Sequence, residues 1–195
     1  MSFNPGVVHK DKNGNERLID IGTRLLMDRI IMCTGEITDE LAESIVAQLL
    51  YLEAEDPDKP IQMMVAGPGG VVTAGNQIID AMNTVKCPVY TTVIGQVASM
   101  STVIAASGEK GKRKIYPLSR VMIHQVSGGQ QGNVQDIRVN YKEMERINDA
   151  TMEHLAKCCG KKVTQLKKDC ERDLWFNAKE AIEYGVADEL VEKHK

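Results

Sequence analysis

The stretch Val89-Tyr-Thr-Thr-Val-Ile-Gly-Gln-Val-Ala-Ser-Met-Ser-Thr-Val-Ile-Ala-Ala106 decides the fold of this chain. Its first six residues are β-branched, aromatic or aliphatic and predict a buried strand, and its alanine-rich end predicts a helix. Ser99 lies at the bend between the two. A hydroxyl at such a bend projects from the backbone, and nearby N–H groups are available to bind an anion. The stretch therefore predicts an α/β unit that presents a candidate nucleophile.

The rest of the chain repeats this alternation of short apolar strands and helices. Thr38 is a typical N-cap, and the helix after it ends at Asp56-Pro-Asp-Lys-Pro60. Gly67-Pro-Gly-Gly70 predicts a sharp turn between a strand and a helix. Together these units predict an α/β fold with a largely parallel sheet. The other strands are predicted at Arg29–Cys33, Ile61–Ala66, Lys114–Tyr116 and Val121–His124, and the other helices at Thr73–Thr84 and Asn177–Tyr184.

Nothing interrupts a helix from Val134 to about Cys159, which would be about 38 Å long. Its apolar stripe is narrow and is interrupted by Asn148, so the helix has too few apolar residues for an element buried in the core. We expect it to project and to pack against another copy of the chain, which favours an oligomer. The alternative is a helix that lies along its own domain. Near the N-terminus, Asn13-Gly14 in a charged stretch predicts a mobile hairpin or loop.

The composition indicates which kinds of partner and which cellular compartment to expect. The 195 residues are 43% hydrophobic without a dividing linker, which predicts one domain over residues 1–195. A net charge of −3 with interspersed signs argues against nucleic acid or a membrane surface, so small molecules or proteins are the expected partners. The N-terminus lacks a secretory signal, and a cytoplasmic location is expected. Five cysteines without CxxC spacing predict neither a disulfide framework nor a zinc site.

Ser99, His124 and Asp173 together have the composition of a nucleophilic relay, in which a base deprotonates the hydroxyl and an acid orients the imidazole. Each residue alone also has an ordinary interpretation. A small residue is common at a strand–helix junction, a histidine at a strand end is often merely exposed, and an aspartate in a charged run is often solvated. The N–H groups of Gly70 and Met100 are candidate donors to an oxyanion, although the glycines also suit a plain tight turn.

Short blocks in a fixed order carry a resemblance to a known family. They are Ser44-Ile-Val-Ala-Gln-Leu-Leu50, Leu52-Glu-Ala-Glu-Asp-Pro57, Pro68-Gly-Gly70, Gly95-Gln96, Ala98-Ser-Met100, Lys110-Gly-Lys-Arg113, Ser119-Arg-Val-Met-Ile-His-Gln125, Asp136-Ile137, Arg172-Asp173 and Glu183-Tyr-Gly185. From about Val7 to Val191 the chain resembles the proteolytic subunit of the Clp protease (ClpP), an ATP-dependent serine endopeptidase. The resemblance implies a crotonase-like α/β fold of repeated β-β-α units, with a projecting handle helix at residues 134–159 and an N-terminal axial loop at residues 1–20.

The resemblance also implies a role for each site residue. Ser99 matches the nucleophile, His124 the general base and Asp173 the orienting acid, while Gly70 and Met100 match the oxyanion donors. An extended peptide would bind between two edges, as an added strand. The residues that match those two edges are Val71, Val72, Ser127 and Gly128. The residues that match the contacts between the rings of the family's assembly are Gln125, Glu171 and Arg172.

The implied assembly is a tetradecamer of two stacked seven-membered rings, homomeric or mixed, that receives unfolded polypeptides from an AAA+ unfoldase. The unfoldase would hydrolyse the ATP, because this chain has no GxxxxGK[ST] loop. We expect no cofactor and no metal. Almost no propeptide precedes Val7, so self-processing is expected to be trivial or absent.

The chain departs from the family pattern around the site and at the docking pocket. Ala66-Gly67 stands where the family usually has Asn-Ser, Ser101 where it has Gly, and Val126 where it has Pro. These changes predict low activity or altered specificity. The aromatic docking positions are Gln62, Met64 and Thr84 here, which predicts weak binding of an unfoldase by the homomer. The chain would then be a divergent paralogue that works with a second subunit.

Two other functions remain open at this point. The first alternative is a structural role, in which the chain is an assembly partner that is weakly active because its triad is poorly aligned. The second alternative is a different enzyme, a crotonase-type acyl-CoA hydratase or isomerase, because that fold shares the paired oxyanion donors. A CoA enzyme would usually need acidic residues near the oxyanion bends and a basic site for the nucleotide phosphates.

Overall fold

The computed structural model describes residues 5–10 and 12–192. The described N-terminal segment is a two-stranded antiparallel hairpin of β1 (Gly6–Lys10) and β2 (Glu16–Asp20), as the Asn13-Gly14 pair predicts. The hairpin is separate from the main sheet. Residues 1–4 and 11, which belong to the predicted axial loop, lie outside the described residues, as do residues 193–195.

The remaining elements form a mixed α/β structure around one seven-stranded sheet. The sheet has the order β3-β4-β5-β6-β9, with β7 paired to both β5 and β8. All of its described strand pairs are parallel except β7 with β8. The elements are α1 (Ile21–Met27), β3 (Ile30–Ile37), α2 (Asp39–Glu55), β4 (Ile61–Gly70), α3 (Val72–Thr84), β5 (Val89–Ala98), α4 (Met100–Ala106), β6 (Lys114–Ile115), β7 (Arg120–Ile123), α5 (Val134–Cys159), α6 (Val163–Asp169), β8 (Leu174–Asn177), α7 (Ala178–Tyr184) and β9 (Glu189–Leu190).

The long strand β5 takes part in the sheet as two segments. Thr92 and Val93 pair with β6, and Gln96–Ala98 pairs with β7. Gly95, with φ of +64°, lies between the two segments, in a conformation that favours glycine. One continuous strand thus pairs with two neighbouring strands before α4 begins. This arrangement places Ser99 at the end of β5 and His124 directly after β7.

Local sequence signals determine several helix boundaries. The Thr38 hydroxyl accepts the Leu41 N–H at 3.3 Å and caps α2. Asn177 and Glu180 form a capping box at the start of α7, and Gly185 ends that helix with φ of +101°. The sequence predicts an apolar face of α2 at Leu41, Ile45, Leu49 and Leu52. The last three are buried and Leu41 is half-buried, while Ala42, which the spacing did not single out, is buried too.

The predicted long helix is present as α5, and its two parts differ in burial. Residues 134–150 are exposed or half-buried, whereas the buried positions begin at Thr151. Met152, Leu155 and Cys159 anchor the second part in the core. The first part therefore leaves Ile137 and Tyr141 of its apolar stripe exposed and Met144 and Ile147 half-buried among the described residues of this chain. This incomplete cover supports the interpretation as a projecting helix.

Some predictions of local structure are wrong. Gly67-Pro-Gly-Gly70 is not a sharp turn but the extended end of β4, which stays paired with β3 up to Gly70. The segment continues the strand because Gly69 and Gly70 stay paired with β3 and Gly67 with β5. Without side chains, Gly69 and Gly70 can lie close to Ser99 and Ile37. Strand β3 runs four residues beyond the predicted Cys33. Four short elements have no counterpart among the predicted ones; they are α1, α6, β8 and β9.

Among the described residues, no helix combines the length and the apolar character that crossing a membrane requires.

Candidate functional site

The structure brings the side chains of Ser99, His124 and Asp173 together, although they are far apart in the sequence. The Nε2 atom of His124 lies 2.7 Å from the Oγ atom of Ser99, within hydrogen-bond distance. On the other side of the ring, Nδ1 lies 3.4 Å from Oδ1 of Asp173. The order of the three groups is that of a nucleophile, a base and an orienting acid.

Backbone and side-chain hydrogen bonds hold Ser99 against the strand that carries His124. Ser99 has φ of +52°, an uncommon conformation for a residue with a side chain. Its N–H donates to the Met122 carbonyl at 3.1 Å, and the Thr102 hydroxyl donates to the same carbonyl at 2.7 Å. Since Met122 lies two residues before His124, these bonds fix the distance between the candidate nucleophile and its base.

Asp173 reaches His124 because β8 pairs antiparallel with β7. Ile123 and Leu174 are paired residues, so the positions next to them lie side by side. The Gln125 N–H also donates to the Cys170 carbonyl at 3.0 Å, which ties the loop before β8 to the loop after β7. The Asp173 side chain is 61% exposed in the isolated chain. Asp173 is therefore the most solvated of the three side chains.

The end of β4 packs directly on the bend at Ser99. A Cβ atom added to Gly69 would lie 2.6 Å from Ser99 Cβ and 3.0 Å from the Met100 nitrogen. Gly70 is paired with Ile37, and the Val71 N–H donates to the Ile37 carbonyl at 2.8 Å. In a parallel ladder a residue bonds to the neighbours of its partner, so the N–H of Gly70 itself is directed away from β3. The candidate donors Gly70 and Met100 thus lie on two backbone segments in close contact.

A small cavity of about 50 Å³ opens beside Ser99 and His124. Its lining combines residues of α3, α4 and the buried part of α5 with residues of the loop after β7. The apolar lining residues that matter below are Val72, Met100, Val103 and Met152, and polar side chains, among them Thr151 and Ser127, line it as well. The cavity has room for a small group next to Ser99.

The predicted substrate edges flank this cavity. Val72 and Ser127 line the cavity. The same two residues, together with Gly128, also line a surface groove of about 460 Å³ beside α5. Val71 is exposed, and its N–H is already bonded to Ile37. Val71 can therefore offer a peptide its side chain but not its N–H.

The three predicted contacts between rings lie on one surface. Gln125, Glu171 and Arg172 line a groove of about 520 Å³ that also includes His124 and Asp173. All three side chains are exposed in the isolated chain. A partner that covers this groove would also cover the exposed Asp173 carboxylate.

Two of the three predicted docking positions carry polar groups that bond within the chain. The Gln62 amide donates to the Tyr90 carbonyl at 3.2 Å and to the Thr92 hydroxyl at 2.9 Å. The Thr84 hydroxyl donates to the Asp80 carbonyl at 2.7 Å. Neither side chain supplies an apolar anchor, and Met64 is half-buried.

Three of the five described cysteines are held in the unreactive thiol form by burial. All five are free thiols. Burial raises the pKa of Cys33 and of Cys159 to about 12 and that of Cys170 to about 11, so these thiols are protonated at neutral pH. Among the residues that the structure describes, no group of three His, Cys, Asp or Glu side chains is placed to share a metal ion.

Sequence reasoning missed two residues that contact the site. Ser101 was identified only as a departure from a pattern, yet its hydroxyl accepts the Gly69 N–H at 3.2 Å. Asn148 was identified only as a break in an apolar stripe, yet its Oδ1 accepts the Val126 N–H at 3.0 Å. The polar interruption of the stripe was the available signal for Asn148, and the sequence contained no signal for the Ser101 bond.

A comparison with known families gives an independent result. The sequence model described as Clp protease matches residues 13–194, which is nearly the whole chain.

Proposed function

Because the chain belongs to the Clp protease family, we propose that it is a serine endopeptidase subunit in which Ser99, His124 and Asp173 form the catalytic triad. The observation that carries this proposal is the 2.7 Å distance between Ser99 Oγ and His124 Nε2. That distance allows direct proton transfer from the hydroxyl to the imidazole. The Asp173 carboxylate, 3.4 Å from Nδ1, favours the tautomer that carries its proton on Nδ1.

The reaction proceeds through an acyl-enzyme. Ser99 Oγ attacks the carbonyl carbon of the scissile peptide while His124 takes the hydroxyl proton. The N–H groups of Gly70 and Met100 stabilise the oxyanion, and the C–N bond then breaks as His124 passes the proton to the leaving amine. A water molecule, deprotonated by His124, attacks the ester and releases the carboxylate product and Ser99.

We propose unfolded polypeptides as substrates and a tetradecamer of stacked rings as the working assembly. The incompletely covered stripe on residues 134–150 of α5 supports contact with another copy. An AAA+ unfoldase would deliver the substrate. Gln62 and Thr84 use their polar groups within the chain, which supports weak docking by the homomer and work in a mixed complex with a second subunit.

One observation favours a second candidate function, in which the chain is a weakly active or structural subunit. Asp173 is 61% exposed and lies beyond ordinary hydrogen-bond distance of His124 in the isolated chain. If the assembly does not bring the two groups closer, the imidazole lacks a firm orientation. The chain would then act mainly as a structural subunit that supplies contact surface in a mixed complex.

The test is covalent labelling of the purified protein by a fluorophosphonate, followed by mass analysis of the modified peptide. We expect one label on Ser99 and none in the Ser99→Ala variant. Ser107→Ala is a matched control, because Ser107 Oγ also lies 2.8 Å from a histidine nitrogen, that of His154. That variant should keep the label. Absence of labelling in a wild-type tetradecamer would count against an autonomous peptidase and in favour of the structural subunit.

A further inference from the structure

Ser101 is a buried polar residue that the mechanism above does not use. It lies two positions after Ser99 in α4 and has no exposed surface. Its hydroxyl oxygen accepts the backbone N–H of Gly69 at 3.2 Å. A hydroxyl in a strand-facing helix is costly to bury without a bond, so this contact accounts for its presence there.

Ser101 fills space that Gly67 leaves open. A Cβ atom added to Gly67 would lie 3.0 Å from Ser101 Oγ and only 2.1 Å from the Gly35 carbonyl oxygen. Strands β3 and β4 therefore come so close that position 67 must be glycine here, and it can supply no polar side chain. A side-chain hydroxyl from α4, that of Ser101, bonds to this segment instead. Two of the departures from the family pattern, Gly67 and Ser101, thus meet in space.

The bond to Ser101 holds one side of the peptide segment that contains the proposed oxyanion donor. Gly69 and Gly70 both have positive φ and no side chain, so the segment has wide conformational freedom by itself. The Gly69 N–H is bonded to Ser101 and the Val71 N–H is bonded to Ile37. The N–H of Gly70 lies between these two fixed amides. Its direction is therefore set by its neighbours.

We propose that Ser101 is a positioning residue, whose hydroxyl orients the Gly70 N–H toward the oxyanion that forms at Ser99. This inference rests on the proposed peptidase function, because the oxyanion exists only in that reaction. Ser101 does not touch the substrate. Its effect is confined to the transition state, because the oxyanion develops only there, so it should change kcat and leave KM nearly unchanged.

The kinetic test compares Ser101→Ala with Ser119→Ala in the assembled protein on a fluorogenic peptide. Ser119 is equally suited to an alanine exchange, because it is 2% exposed and its hydroxyl donates to the Val93 carbonyl away from the site. We expect kcat to fall roughly 10- to 100-fold in Ser101→Ala at a KM within about twofold of wild type, by analogy with the loss or misplacement of an oxyanion donor. Ser119→Ala should keep the wild-type kcat. A raised KM with an unchanged kcat, or equal kcat in both variants, would overturn the proposal.

A second measurement does not depend on activity. Hydrogen–deuterium exchange of peptides that cover residues 66–71 should show a slowly exchanging Gly69 amide in wild type and in Ser119→Ala, and faster exchange in Ser101→Ala. Unchanged exchange in Ser101→Ala would overturn the positioning role even if wild type proves inactive. The two proposals can fail separately. If wild type is not labelled at Ser99 but the exchange result is as expected, the bond between Ser101 and Gly69 is confirmed. The peptidase proposal then fails, and with it the role of Ser101 in catalysis.

Discussion

Val126 donates its backbone N–H to Oδ1 of Asn148 at 3.0 Å. This bond joins the loop that follows His124 to helix α5, near the boundary between its exposed and its buried part. A proline at position 126 could not make it, because proline has no N–H. The bond therefore depends on one of the departures of this chain from the family pattern.

Removing the acceptor should loosen the substrate edge without touching the triad. In Asn148→Ala we expect kcat/KM for a peptide to fall roughly 2- to 10-fold, the equivalent of one net hydrogen bond. Labelling of Ser99 by a fluorophosphonate should persist. Asn83→Ala, at an exposed position at the end of α3, is the matched control and should behave as wild type. Equal kcat/KM in the two variants would show that the bond has no part in holding the edge.

The cavity beside Ser99 predicts the size of the residue that precedes the cleaved bond. With a volume of about 50 Å³ and with Val72, Met100, Val103 and Met152 in its lining, it should favour Ala or Val at that position over the larger Leu and Phe. Met152, which is 2% exposed, forms part of the wall. Met152→Ala should raise the ratio of kcat/KM for a Leu substrate to that for an Ala substrate by about 10-fold, since each added methylene is worth about a factor of 10 or more. Wild-type preference for Phe would contradict this account of the pocket.

The docking positions predict weak binding of an unfoldase by the homomer. The polar groups of Gln62 and Thr84 are bonded within the chain and provide no aromatic anchor. A pull-down of an AAA+ unfoldase by the homomer should therefore recover little protein, and the triple variant Gln62→Tyr, Met64→Tyr, Thr84→Phe should recover more. Tight binding by the wild-type homomer would refute the prediction. Native mass of the chain, alone and mixed with a second proteolytic subunit from the same cell, distinguishes a homomer from a mixed complex.

The ion pair of Arg113 and Asp188 predicts a loss of stability in acid. Arg113 Nη2 lies 2.6 Å from Oδ1 of Asp188, and the arginine side chain is only 2% exposed. Burial by itself raises the pKa of Asp188, but hydrogen bonds from the Arg113 side chain and backbone and from the Gly111 N–H outweigh it and lower the pKa to about 2. Because the carboxyl titrates near 3.8 in the unfolded chain, its ionised form contributes about 2 kcal/mol of stability above pH 4. This contribution is lost as the pH falls toward 2.

Urea unfolding at a fixed protein concentration checks the size and the pH dependence of this pair. Asp188→Asn should lower the free energy of unfolding at pH 7 by roughly 3–5 kcal/mol, since it leaves the buried guanidinium without its counter-ion. The difference from wild type should shrink between pH 4 and pH 2. Glu189→Gln, which breaks the exposed pair with Lys114, is the control and should cost at most about 1 kcal/mol at either pH. A constant difference across this pH range would contradict the assignment to Asp188.

The sequence by itself determined the elements whose signals are local. The Thr38 cap and the apolar spacing of α2, the alternation of β4, α3, β5 and α4, and the uninterrupted run of α5 are all confirmed. Periodicity and capping act within a few residues of one another, so they can be interpreted without knowing what the segment packs against. The candidate residues Ser99 and His124 could be named for the same reason, because each lies at the end of a locally predicted strand.

Only the tertiary structure decided the relations between segments. The end of β4 remains a strand because it stays paired with β3 up to Gly70, and β8 exists because it pairs with β7. The approach of Asp173 to His124 and the bond between Gly69 and Ser101 join residues 49 and 32 positions apart. Such contacts depend on sheet order and strand register, which no short stretch of sequence encodes, because they are fixed by the packing of the whole domain.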